Sequence, residues 1–274
     1  MSESSKKWFR GCGAGCLVMI VVAVLGTALL VFSMRSAFVD AAYHREKLDR
    51  RFGSAAAFTP AADGSVPEDR VEVFLSVRSA LEPVVADVVK IDGEMGEFEK
   101  LAEEEDPPLR VALPAIARLS RSMLSMPRVF GAMEEARNAA LADAGMGLGE
   151  YIYNYVMAYH QELLQPSHAV HLFGGSAVNG RVRDDLRGMM RRQLKVAEGA
   201  GEADSEWTGL LAAEVAALDA DPERIPWQGG LPTAVARSFE SFRGDLDAVY
   251  WPATAELDLL NSTVTHGGLQ IVMD

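Results

Sequence analysis

Twenty-four consecutive residues, Gly11 to Met34, carry no charge and are bounded by Arg10 and Arg35. As a helix such a run is about 36 Å long at roughly 1.5 Å per residue. That crosses a hydrocarbon core of about 30 Å. Trp8 and Phe9 stand beside Lys6, Lys7 and Arg10, as aromatic and basic residues do at a membrane interface. Residues 1–11 therefore read as a short basic tail and residues 12–34 as one transmembrane helix, the chain's contact with a lipid bilayer.

The order of features narrows the kind of anchor. A bacterial lipoprotein cysteine follows its apolar region, whereas Cys12 and Cys16 precede theirs. Gly26-Thr27-Ala28 has the small residues of a signal cleavage site. Leu29, Leu30, Val31 and Phe32 continue the apolar run beyond it, which suits a retained anchor. Cys12 and Cys16 are four residues apart and share a helix face. With Gly11-x-x-x-Gly15, a spacing that permits close helix approach, they read as a flexible entry to the span or as a helix contact inside the membrane. The basic residues on the two sides, three before the span and five soon after it, do not decide the orientation by count. Large domains translocate largely regardless of local charge, and the tail concentrates its charge, so the C-terminal domain is expected outside the cytoplasm.

The basic head, the GCGAGC entry and the later stretch YHREKLDRRFG…TPAADGSVPEDRVEVFLSVRSALEP together resemble a loosely defined set of uncharacterised bacterial single-pass membrane proteins. The resemblance covers roughly the first 85 residues. It implies a membrane location and carries no activity with it.

Beyond the span the hydrophobic period is that of helices. Residues 35–64 read as a juxtamembrane helix over Val39–Phe52 and a loop over Gly53–Gly64. Ser65-Val66-Pro67-Glu68 has the form of a capping box. Val71, Phe74, Val77, Leu81, Val85 and Val88 then recur at steps of three and four, with Pro83 as a possible kink. Further helices are expected over Pro108–Ser125 and Pro127–Ala144 (or one helix bent at Pro127), Gly147–Leu164, Ala177–Ala197 and Ser205–Leu218. The final long helix carries Val235, Phe239, Phe242, Leu246 and Val249 at alternating steps of four and three, a packed seam. Pro252 interrupts it, and a short helix resumes to Leu260. No segment alternates with period two. The expected fold is all-α: one N-terminal transmembrane helix, an antiparallel multi-helix bundle over 65–260, and an irregular tail over 261–274.

Candidate chemistry concentrates in residues 149–175, GEYIYNYVMAYHQELLQPSHAVHLFGG. Tyr153, Tyr155 and His160 are candidates to line a ligand pocket. His160, His168 and His171 are metal candidates if they converge with a carboxylate such as Glu150 or Glu162. Neither H-E-x-x-H nor Glu-x-x-His is present, so no metal or cofactor is expected. Core packing with hydroxyls at the edge is the plainer role for these tyrosines. The basic stretch Arg181–Lys195 is expected to pair with the acidic remainder, including Asp184 and Asp185. A net charge of −13 disfavours nucleic acid as a partner, because phosphate binding needs a basic surface. The P-loop, G-x-S-x-G and Rossmann glycine patterns are missing.

The reading is a membrane-anchored helical domain that binds an unidentified protein or scaffolds an envelope assembly, and is not an enzyme. Its alternatives are an anchored metal-assisted hydrolase using His160, His168 and His171, and a ligand-binding module using the Tyr/His-rich helix.

Overall fold

The computed structural model describes residues 42–103, 108–164, 176–202, 205–221 and 224–259. These are all-helical, with no strand among them. The expected span 12–34, with Gly11, Cys12, Gly15 and Cys16, lies outside the described residues, as does the tail 261–274. Among the described residues no helix is long and apolar enough to cross a membrane.

Helix α1 (residues 42–52) buries Leu48 and leads through a 3-10 turn at Ala55–Ala57 to α2 (Glu68–Ala80). The capping box does not form. Pro67 occupies the N-cap position with no side-chain cap. The Ser65 backbone N–H and hydroxyl both donate to Asp63 Oδ1, at 3.0 and 2.8 Å, so Ser65 closes a turn backwards instead of capping forwards. The apolar series behaves as its spacing predicts: Val71, Phe74, Val77, Leu81, Val85 and Val88 are all buried. Pro83 starts a helix rather than kinking one. α2 ends at Ala80 and α3 (Glu82–Ala102) begins with Pro83 in its first turn, where the missing N–H costs nothing.

Helix α4 (Leu109–Ala144) is one continuous helix with Pro114 and Pro127 inside it, ended by Gly145 at φ 71°. Arg118 Nη2 donates to Glu97 Oε2 at 3.4 Å, and the Ser122 hydroxyl donates to Glu94. Position rises on α4 as it falls on α3, so the two are antiparallel. α1 behaves differently. His44 Nε2 lies 3.8 Å from Glu135 Oε1, and Arg51 Nη1 donates to Ala142 O at 2.9 Å. Both pairs are 91 residues apart, so α1 runs parallel to α4.

Helix α5 (Leu148–Ala158) is buried on all sides, with only Glu150 partly accessible. A helix apolar all round belongs in the middle of a bundle. Gly149 is required where α5 crosses the 3-10 turn, because a Cβ there would collide with the Ala55 carbonyl and lie 2.6 Å from Phe58 Cβ. The expected single helix over 147–164 is broken at Tyr159 (φ −105°, ψ 25°), and α6 (His160–Leu163) continues as a separate turn. The Ala158 carbonyl accepts from Arg243 Nη1 at 3.0 Å.

Helix α7 (Ser176–Ala197) passes through a π-helical turn at Glu198–Glu202 to α8 (Glu206–Ala220), which Ser205 caps through Thr208 N–H at 3.1 Å. The expected last long helix is two: α9 (Thr233–Glu240) and α10 (Arg243–Ala248). Its apolar series still points inward, with Val235, Phe239 and Leu246 buried. A 3-10 turn at Pro252–Thr254 and the short α11 (Ala255–Leu259) follow. One core surrounds α5; a second joins Leu81, Val85, Val88 and Ile91 of the α2–α3 segment to Met126, Phe130 and Met133 of α4 and Leu257 of α11.

Candidate functional site

Polar chemistry inside the bundle centres on Arg78 and Asp258, both with fully buried side chains. Arg78 stands in the last turn of α2, four residues after Phe74 and three before Leu81, so the helical period delivers it into the core. Its Nη1 lies 2.5 Å from Asp258 Oδ1 and donates to the Tyr151 hydroxyl at 3.1 Å. Nε and Nη2 donate to the Val249 carbonyl at 3.2 and 2.8 Å. Asp258 Oδ1 also accepts from the Tyr151 hydroxyl at 2.9 Å, and Oδ2 accepts from Thr254 Oγ1 at 2.7 Å.

Aromatic rings enclose the pair. The Arg78 guanidinium carbon is 4.7, 5.1 and 5.8 Å from the ring centroids of Trp251, Tyr155 and Tyr159. Tyr155 and Tyr159 meet edge to face at 4.9 Å, and Tyr159 leans on Tyr250 at 4.6 Å. Cation–π contact is worth most in such a desolvated setting.

A second buried arginine supports the same segment. Arg137 Nη1 donates to the carbonyls of Leu257 and Asp258 at 3.0 and 2.8 Å. These carbonyls end α11, where intrahelical donors run out and the backbone dipole favours a cation. Val249, which Arg78 binds, is likewise the C-cap of α10. Arg78 and Arg137 thus each close a helix C-terminus.

The electrostatics keep the arginine charged and the phenols around it neutral. Burial is the largest influence and works against the Arg78 charge, but the Asp258 carboxylate together with Tyr151, Tyr155 and Tyr159 outweighs it and holds the guanidinium protonated well above its usual range. Burial pushes the phenols of Tyr151, Tyr153 and Tyr155 far up, and that of Tyr159 up to about 12. None of these phenols ionises near neutrality. The arrangement fastens elements together and does not present a base or a nucleophile.

The candidates from the sequence fall in different places. Tyr153 packs on Phe58 at 5.9 Å, on the side of α5 that faces the 3-10 turn. Tyr155 lies in the aromatic enclosure of Arg78, with its hydroxyl buried and without a hydrogen-bond partner. His160 Nε2 donates to the Pro226 carbonyl at 3.0 Å, which leaves Nδ1 buried and unpaired. Burial holds this imidazole below the ordinary histidine range. His168 and His171 lie outside the described residues, among which no cluster of three metal-ligating side chains occurs. Glu150 is held by Arg70 through both carboxylate oxygens at 2.6 and 2.7 Å.

The basic stretch is used internally, as expected. Arg187 and Arg191 reach Asp219 at 3.5 and 2.5 Å, and Arg192 Nη2 donates to the Phe58 carbonyl at 2.7 Å. The sequence reading missed Arg78, Arg137 and Asp258. The signal was present: Arg78 interrupts the series Phe74–Leu81, and Arg137 stands midway between Met133 and Leu141, each on the apolar face of its helix. No family model, curated protein or solved structure matches the chain.

Proposed function

We propose that the chain is a membrane-anchored helical platform: residues 12–34 hold it in a bilayer, and the bundle serves as a protein-interaction or envelope scaffold component outside the cytoplasm. The observation that supports this reading is the engagement of the buried charges. Both oxygens of Asp258 and all three nitrogens of Arg78 have intramolecular partners, so the most chemically endowed part of the interior is spent on rigidity. A buried network satisfied in this way rigidifies a fold, which is what a platform requires.

The test is crosslinking of the full-length protein in its native membranes, followed by capture and mass spectrometry, beside a control that carries residues 1–41 alone. A stoichiometric partner found with the full chain and absent from the control is expected. Recovery of the chain without any partner overturns the scaffold reading.

A further inference from the structure

The end of α3 and the first half of α4 form a two-helix arm. Leu113, Ile116, Met123 and Leu124 on α4 are between 47% and 61% exposed. Single exposed apolar residues are ordinary, whereas four in one patch mark an interaction surface. The contacts of α1 with α4 fall at Glu135 and Ala142, beyond this patch.

The charges around the patch are sorted by sign. On α4, Arg110, Arg121 and Arg128 fall within about 20° of one another around the helix, and on α3, Asp92, Glu99 and Glu103 fall within about 40°. All six are exposed, and among the described residues none is paired with an opposite charge. Arg118 and Glu97, which meet at 3.4 Å, mark the opposite side of the arm. Ile116 and Met123 lie about 140–160° around α4 from Arg118, and the three acids lie about 120–160° around α3 from Glu97. Acids and patch therefore share a face. Across that face the order is the acids of α3, then Ile116 and Met123, then Leu113 and Leu124, then the arginines at the outer edge.

The two charged rows match in length and in height. Asp92 and Glu103 are eleven residues apart, as are Arg110 and Arg121, a rise of about 16 Å in each case. The Arg118–Glu97 and Ser122–Glu94 pairs set the level of one helix against the other. They put Glu103 within about 5 Å of the level of Arg110 along the arm, and Asp92 within the same distance of the level of Arg121. A face with acids on one edge and bases on the other, at equal heights, is complementary to itself. Rotation by half a turn about an axis parallel to the arm keeps every height and exchanges the edges. The acids of one copy then meet the arginines of the other on both sides of an apolar centre, each contact occurring twice as an isologous interface requires. An antiparallel two-fold sets arginine against arginine instead.

We infer that this face binds a second copy of the chain, with the two arms side by side and parallel. Ile116, Met123, Leu113 and Leu124 form the centre, and the Asp92–Glu99–Glu103 row of each copy lies along the Arg110–Arg121 row of the other. The inference does not rest on the reading of residues 12–34.

The experiment uses the full chain with Cys12→Ser and Cys16→Ser in detergent micelles, carrying either Ile116→Cys or Met123→Cys, treated with a short bismaleimide. Covalent dimers are expected at both positions. A chain with Arg110→Glu and Arg121→Glu, and another with Asp92→Arg and Glu99→Arg, are each expected to lose the linked dimer by at least about tenfold, because like charges then meet across the interface. Mixing these two chains is expected to restore it. Absence of links at 116 and 123 in the parent overturns the inference, whether the chain is monomeric, joined through another surface or covered there by its own residues. Links that survive the charge reversals, or that mixing does not restore, overturn it as well. Linkage of 116 in one copy to 123 in the other, in preference to like positions, overturns the parallel pairing.

Discussion

Arg78 and Asp258 are 180 positions apart in sequence and 2.5 Å apart in space. A charge buried this completely is tolerable only with its partner in place. Asp258→Asn is expected to destabilise the fold by about 3–5 kcal/mol, since it leaves a guanidinium buried without a counter-charge. Arg78→Met combined with Asp258→Leu is expected to cost less than Asp258→Asn alone, because it removes both charges together. Denaturant unfolding of the three proteins checks the order; equal losses would sink the argument. His160 gives a pH dependence. Its folded-state affinity for protons is lowered by burial, so the unfolded chain binds the extra proton and stability falls as pH drops below the ordinary histidine value of about 6.5. His160→Gln is expected to flatten the decline between neutral and mildly acidic pH in thermal melts. The tyrosines act at the other end. With folded-state values above the unfolded one, their contribution is complete below about pH 10 and is lost above it. Phenolate absorbance from Tyr151, Tyr153 and Tyr155 is expected to appear only as the fold is lost. Smooth ionisation of all the tyrosines before unfolding would contradict this.

Helices set by their own period were legible in the sequence. The α2–α3 series, the α7 and α8 segments and the resumption after Pro252 follow from apolar spacing, whereas the one cap read from the sequence, at Ser65, does not form. Breaks set by distant groups were not. The interruption at Tyr159 coincides with Arg243 binding the Ala158 carbonyl from 85 residues away, and no local residue announces it. The division of α9 from α10 is similar: the apolar period runs through Ser241 and Phe242, while Tyr159 Oη donates to the Leu246 carbonyl beyond them at 3.1 Å. The candidate site was half legible. The tyrosines of α5 read as core residues with their hydroxyls at the edge, whereas the hydroxyls of Tyr151 and Tyr155 lie inside the core; the arginine that organises them was passed over, because charge reads by default as solvent-facing. The contact between α5 and the 3-10 turn yields a further prediction. Gly149→Ala is expected to lose roughly 1–3 kcal/mol by overpacking against the Ala55 carbonyl, despite the better helix propensity of alanine. A mutant as stable as the parent in urea would mean that the crossing can open without cost.

At the scale of the molecule, α11 joins the parts. Five residues long, it supplies Leu257 to the α3–α4 core, Asp258 to Arg78 and two carbonyls to Arg137. A chain stopped after Tyr250 is expected to retain helical circular dichroism and lose cooperative unfolding and fixed near-ultraviolet signals, the behaviour of a state that keeps helices without tertiary packing. A sharp thermal transition in that truncation would count against the clamp. This dependence also fixes an order in time. Until Asp258 has been made, two arginines in the middle of the bundle lack the groups that make their burial affordable, and the chain behind them stays loosely folded. If the large domain is carried across a membrane, as proposed above, the polypeptide stays pliable in transit and locks once α11 has emerged on the far side.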